Sequence, residues 1–217
     1  MKVLELFSGT GSVGKVCKEK GYTVTSLDLN NADINTDILD WDYKEYEPDT
    51  FDIIWASPPC HTFSHCRRSW VGRKTKAFGD KVITHEMLDK EMIDKGLPVL
   101  RKTQEIIKYF NPTWWYIENP ATGKMKQFLT ELNHYDVDYC MYSDWGYKKR
   151  TRVWTNNMDF TPKLCNRACG NLMTVDGRLL HKNNLGNSHR NGLTKGSCGS
   201  TNTRYRIPPQ LIKDLIK

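Results

Sequence analysis

The stretch "ASPPCHTFSHC", from Ala56 to Cys66, puts one cysteine directly behind two prolines, and the apolar run "FDIIWA" precedes it. Cysteine alone is usually a small buried hydrophobe. Proline cannot donate to a sheet ladder and holds the chain extended, so Cys60 is expected at the end of a strand, presented as a thiol. Cysteine is the strongest neutral-pH nucleophile a protein carries, because its thiolate is accessible and intrinsically reactive. "YIENPAT" offers a carboxylate in the same way: Glu118 and Asn119 follow an aromatic run and Pro120 ends it. A glutamate there is either a salt-bridged structural group or a general acid. A cysteine at a neighbouring strand end favours the acid. "LFSGTGSVG" is the third element. Gly9 and Gly11 let the backbone approach a ligand, and Asp28, about 20 residues on, stands where an acidic group meets ribose hydroxyls. The spacing is F-x-G-x-G, short of the full G-x-G-x-x-G, which argues against a pyrophosphate-bearing dinucleotide.

Something must bring these residues to one place. "KVLELF" predicts a first strand. Val13, Val16 and Cys17 have helical spacing, with Gly21 as the stop. "TVTSLDL" predicts a strand ending near Asp28, and "INTDILDW" a short connection or third edge. "FDIIWAS" predicts a buried strand, and Glu86 to Phe110 a helix that Pro98 starts or kinks. "TWWYIEN", "HYDVDYCMY" and "TRVWTN" predict strands, and "KMKQFLTEL" a helix. No period holds from Thr155 to Thr203, which reads as loop. "PPQLIKDLIK" closes as a short helix. Strands alternating with helices predict an α/β domain, a mostly parallel sheet with helices on both faces. Ligands of such sheets sit beyond the carboxyl ends of the strands, where Gly9, Gly11, Asp28, Cys60 and Glu118 all fall.

The chain has 217 residues, enough for one domain with a substantial core. No apolar run is long enough to span a bilayer and no signal peptide is evident. Seven scattered cysteines fit reduced intracellular thiols better than a disulfide framework. We expect an intracellular monomer with no membrane partner. The formal charge is +7 and the pI about 9.0. From His61 to Lys76 there is no acidic residue, while Arg67, Arg68, Arg73, Lys74 and Lys76 are basic. "GYKKRTRVW" groups Lys148, Lys149, Arg150 and Arg152, and the stretch from Lys163 to Arg206 is again basic, including Arg190. One such cluster is a solvated face; three that converge predict a nucleic-acid surface. Cys165 and Cys169, with His181, His189 and Cys198 beyond them, read as unrelated loop residues, so no metal is expected. A structural zinc at Cys165 and Cys169 is the alternative. Cys17, Cys66 and Cys140 read as structural or incidental.

"FSGTG", "SPPC", "IENP" and "KKRTRVW" occur in this order. Together they resemble the DNA cytosine-5 methyltransferase family, whose motifs read F-x-G-x-G, P-C, E-N-[VP] and Q-x-R-x-R. The resemblance runs from the first strand to about Trp154, and "RYRIPP" (Arg204–Pro209) looks like the family's late arginine-bearing motif. It implies a Rossmann-like class I methyltransferase fold. It also implies a catalytic domain over 1–154, a short target-recognition segment over 155–203 and a segment packing back over 204–217. It implies S-adenosylmethionine as methyl donor, held by Phe7, Gly9, Gly11, Asp28, Asp37 and Pro58. By the same resemblance Cys60 attacks cytosine C6 and Glu118 acts on N3. Arg152 contacts the cytosine and steadies Glu118, and Arg150 is structural or phosphate-directed. DNA is the implied partner, reached through Arg67, Arg68, Arg73, Lys74, Arg150 and Arg190. The same chemistry on RNA, or a silent nucleic-acid-binding module, are the rival readings. Two departures stand out. Lys148 replaces the usual glutamine, and no Gly-Asn motif follows "RYRIPP", although "GNS" occurs upstream at Gly186–Ser188.

Overall fold

The computed structural model describes residues 1–183 and 201–217. Strands β1 (Lys2–Leu6), β2 (Thr23–Asp28), β3 (Ile34–Asn35), β4 (Ile53–Ala56), β5 (Trp114–Pro120), β6 (His134–Asp138) and β7 (Arg150–Thr155) form one sheet. Their order is β3-β2-β1-β4-β5-β7-β6. β1 pairs in parallel with β2 and β4, and β4 with β5, whereas β7 runs antiparallel to both β5 and β6. The chain leaves β1 towards one edge and returns at β4 towards the other. The crevice beyond the carboxyl ends of β1 and β4 is therefore the switch point where such sheets bind ligands.

Both faces of the sheet are covered. On one face Val3, Ile53, Trp55, Tyr116 and Val153 pack with α1 (Ser12–Glu19) and α5 (Pro209–Leu215), through Val13, Val16, Leu211 and Leu215. On the other, Leu4, Leu6, Ile54, Ile117 and Trp154 pack against Leu100, Ile106 and Phe110 of α3 (Leu97–Phe110). The strands alternate strictly between these faces, as a pleat buried on both sides requires. α2 (His85–Glu91) runs through a π-turn (Met92–Gly96) into α3, and Pro98 sits in the first turn of α3, where its missing N–H is harmless. A Cβ on Gly96 would collide with the Thr62 hydroxyl and lie 3.1 Å from the Phe63 ring. That glycine lets the segment following Cys60 lie flat on the helix.

Two expectations fail. "KMKQFLTEL" forms only a 3₁₀ turn at Lys124–Gln127, with Met125 and Leu129 buried. That stretch is too short to nucleate a helix on its own, and its two buried side chains are satisfied by a turn. The stretch after Thr155 is not wholly irregular. It contains an antiparallel hairpin of β8 (Leu172–Val175) and β9 (Arg178–His181) around the tight turn "DG", followed later by α4 (Thr201–Tyr205). The Asp-Gly dipeptide was a readable hairpin signal. No helix among the described residues is long and apolar enough to cross a membrane.

One charged group lies inside the first layer. Glu5, in the middle of β1, is 3% exposed. Its two carboxyl oxygens accept bonds from the amides of Val13 (3.1 Å) and Gly14 (2.9 Å), at the start of α1. A Cβ on Gly14 would stand 2.6 Å from Glu5 Oε2, so this contact requires glycine. Burial pushes Glu5 up to about 7, against the lowering pull of the two amides and of Lys18 and Lys15. The folded pKa thus exceeds the ordinary value of 4.5. The stability linked to Glu5 is fully present below pH 4.5 and is lost as pH rises through about 7. We predict that the stability of the native chain falls relative to Glu5→Gln across that window, by on the order of 3 kcal/mol. Urea melts of both proteins at pH 5 and pH 8 measure it; equal pH dependence refutes it.

Candidate active site

The glycine loop follows β1 immediately. Phe7, Gly9 and Gly11 all have positive φ, at 59°, 48° and 64°. Glycine tolerates this freely, whereas Phe7 carries local strain of the kind that collects at ligand sites. The Gly11 amide donates to Ser8 O at 2.7 Å, and Lys15 N donates to Gly11 O at 3.0 Å, fastening the loop to α1. A Cβ on Gly9 would meet only Phe7 O, at 3.8 Å, so the loop faces open space. Asp28, at the end of β2, accepts from Gly9 N (2.8 Å) and Leu29 N (2.7 Å). Asp37 lies exposed after β3 and accepts from Leu39 N at 2.9 Å. Pro58 is buried, and its carbonyl accepts from Asn119 Nδ2 at 2.8 Å. An open backbone cradle, an acidic group at the second strand's end and another after β3 suit a nucleoside-type ligand bearing a positive centre. The residues expected to hold S-adenosylmethionine therefore fit it.

Cys60 stands half-buried past β4, as its two prolines dictate. Its root is tightly fixed: Phe63 is fully buried, packs edge-on to Phe128, and its carbonyl accepts from Lys124 N at 2.8 Å. Glu118, 6% exposed, accepts from the Tyr139 hydroxyl at 3.0 Å, and Lys149 Nζ lies 3.8 Å from it. Lys149 also donates to Arg204 O at 3.2 Å and rests 4.7 Å from the Tyr139 ring centre. Burial, and then the Glu118 charge, push the Cys60 thiol up, while Lys149 pulls it down. Glu118 and Lys149 thus face the thiol closely enough to bias its ionisation. Burial together with the Glu118 charge raises Tyr139 well above a phenol's usual value, so it stays protonated and donates.

Lys149 and Tyr139 were not singled out from the sequence, and Arg152 was expected in their place. The pleat explains the exchange. Glu118 pairs with Val153 across the β5–β7 ladder, so it shares a face with Thr151 and Lys149. Arg152 pairs with Asn119 on the opposite face. There its guanidinium grips Asp136 through two bonds of 2.7 and 2.9 Å. Arg150 likewise grips the fully buried Asp138, at 3.0 and 2.8 Å. The structure therefore does not bring Arg152 to Glu118, and it commits Arg150 to an internal ion pair. Once the register is known, Lys149 is the one basic residue of "KKRTR" that shares the parity of Val153; the sequence alone carries no signal for which parity faces Glu118. We predict that Lys149→Met moves the pH midpoint of Cys60 alkylation by iodoacetamide upward. An unmoved midpoint removes Lys149 from the site.

Among the residues expected to meet nucleic acid, Arg68, Arg73 and Lys74 are exposed on the segment after Cys60. Arg67 is not free: it pairs with Glu91 and stacks over Trp70 (5.1 Å) and Phe78 (5.5 Å). Arg190 and the "GNS" at Gly186–Ser188 lie outside the described residues. In the late motif, Arg206 stacks on Trp145 with its guanidinium carbon 3.6 Å from the ring centre.

A doubly wound sheet in this strand order, with one reversed strand next to its edge and a glycine loop at the switch point, is the Rossmann-like class I fold that the resemblance implied. No family model matches the chain. It is 43% identical to a protein of Frog virus 3 (isolate Goorha) named "Probable DNA (cytosine-5)-methyltransferase", over 100% of this chain and 99% of the relative. The chain belongs to the DNA (cytosine-5)-methyltransferase family. Among solved structures it is similar to the Dnmt2 methyltransferase of S. pombe, at 13% identity and TM-score 0.42, covering 76% of this chain and 51% of that one. It is also similar to the methyltransferase EhMeth of Entamoeba histolytica, at 15% identity and TM-score 0.44, covering 76% and 55%. The chain spans about half the length of these solved structures.

Proposed function

We propose that this chain methylates C5 of cytosine in DNA, with S-adenosylmethionine as the donor. The observation that carries the reading is a presented thiol and a buried carboxylate at the ends of adjacent strands β4 and β5, which Asn119 Nδ2 ties together through Pro58 O. Cytosine is electron-poor at C6 and unreactive at C5. The Cys60 sulfur adds to C6, and the ring's electron pair moves towards C5 and N3. Glu118 takes up the proton that Cys60 releases and passes it to N3 as the thiolate adds, which keeps negative charge from building on the ring. Tyr139 donates to Glu118 Oε1 and Lys149 Nζ lies 3.8 Å from the same oxygen, which leaves Oε2 for the bond to N3. The cofactor supplies an electrophilic methyl group on a sulfonium. Phe7, Gly9, Gly11, Asp28, Asp37 and Pro58 would hold it, with Asp28 exchanging its bond to Gly9 N for the ribose hydroxyls. Once C5 is methylated, a water takes the C5 proton, the C6–S bond breaks, and N3 returns its proton through Glu118 to the departing Cys60 thiolate, which restores the aromatic ring.

A base inside a duplex cannot reach this cleft and must leave its stack. The segment from His61 to Thr84 is the proposed cover for it, and the exposed Arg68, Arg73 and Lys74 support a role in meeting phosphates. The stretch over 155–203 is the proposed target-recognition segment, and its shortness favours a short recognition sequence, because each bidentate base contact contributes only about 1–3 kcal/mol of discrimination. The deciding experiment incubates the purified full chain with labelled S-adenosylmethionine and matched DNA and RNA, followed by bisulfite sequencing. Label at cytosine C5 of DNA is the expected result. Transfer to RNA alone, or to an exocyclic amine, overturns the reading.

A further inference from the structure

Beyond the candidate active site, four potential metal ligands meet at one point. Cys140 comes from the turn that follows β6, Cys165 and Cys169 from the connection after β7, and His181 from the last position of β9. One ligand atom from each lies within 4.8 Å of every other. His181 Nε2 is 3.5 Å from both Cys165 Sγ and Cys169 Sγ. Cys140 and Cys165 are buried, and Cys169 and His181 half-buried. Tetrahedral zinc, with bonds of about 2.3 Å to sulfur and about 2.0–2.1 Å to nitrogen, requires sulfur–nitrogen edges near 3.5 Å. The two edges observed here already have that length.

We propose that Cys140, Cys165, Cys169 and His181 form a structural zinc site. Three thiolates and one neutral imidazole complete a closed tetrahedral set, with no position left for water or substrate. Softness selects the metal: thiolate-rich tetrahedral sites prefer zinc to magnesium, calcium or manganese. On binding, the three thiols release their protons to solvent and no electrons move. Cys140, read from the sequence as structural or incidental, thereby becomes the fixed point of the site, since it is anchored beside the main sheet.

The surrounding architecture shows what such a metal holds. The β8–β9 hairpin has no fully buried residue, and Met173, Leu179 and Leu180 are exposed. A lone two-stranded hairpin is marginally stable in water. Its attachments are polar and cluster around the four ligands. Asn171 Nδ2 donates to Cys140 O (3.0 Å) and Ser143 O (2.8 Å), and Cys165 N donates to Asp138 Oδ2 (2.8 Å). Zinc closes this ring of contacts and clamps the hairpin to the end of β6, with binding free energy in place of the core the hairpin lacks.

The test is metal analysis of the purified full chain in reducing buffer. We expect one zinc per chain, lost in Cys140→Ser and His181→Ala and retained in Cys66→Ser. A measurement on the unaltered chain guards against variants that do not fold. Under native conditions, alkylation should spare Cys140, Cys165 and Cys169 and label Cys66. Chelator should expose the three, and added zinc should protect them again. A chain that carries no zinc and whose three thiols react equally fast with and without added zinc overturns the site. An intact mass showing a disulfide among them does the same.

Discussion

Cys60→Ala abolishes methyl transfer while cofactor affinity changes little, because the sulfur acts on the base and the glycine loop acts on the donor. Without addition at C6, C5 has no nucleophilic character, and no other described side chain at the site can replace the thiolate. Cofactor binding by calorimetry and transfer by label incorporation separate the two effects. A covalent adduct forms between the native chain and DNA containing 5-fluorocytosine, since fluorine at C5 cannot leave as a proton does. The adduct survives denaturation and is absent from Cys60→Ala. An active enzyme that forms no adduct rules out this mechanism. The raised thiol adds a pH signature. Burial and Glu118 keep Cys60 largely protonated at neutral pH, so turnover should rise with pH until the thiol ionises.

Glu118→Gln loses about 10²–10⁴-fold in turnover, the range typical of a positioned general acid. The amide is nearly isosteric and keeps an oxygen for Tyr139, so the fold survives and the loss falls on chemistry. Substrate affinity should fall far less than turnover. The same change removes the negative charge that raises Cys60, so the thiol should ionise at lower pH in the variant. Alkylation rate against pH reads that directly. A variant with near-native turnover would falsify the role of Glu118.

Much of this was legible in the residues. Pro58 and Pro59 announced where β4 must stop, and Pro120 did the same for β5. The glycines after β1 declared a backbone conformation that side chains resist. What was not legible depends on pairing between strands distant in sequence. The sequence "KKRTRVW" shows alternation but not which parity faces Glu118; the β5–β7 register settles that, and it reverses the expected roles of Lys149 and Arg152. Cys140 was unreadable as a ligand for a related reason. Its partners come from elements that meet only after β6 and the hairpin are placed. Arg67 looked free because Glu91, its partner, lies in α2, beyond the loop.

The register of β7 has a consequence for how this sequence can change. Substitutions along the strand are graded, each costing what its own contacts are worth. Insertions are not graded. One residue added between Arg152 and Val153 would turn Lys149 towards the helix α3 side and put Arg150 in the place of Lys149 beside Glu118. The ion pairs with Asp136 and Asp138 would break in the same step. Lineages descended from this chain should therefore tolerate length changes within β7 only in pairs. Reading frame and chemistry are locked together there, so the strand behaves as a ratchet with two-residue teeth.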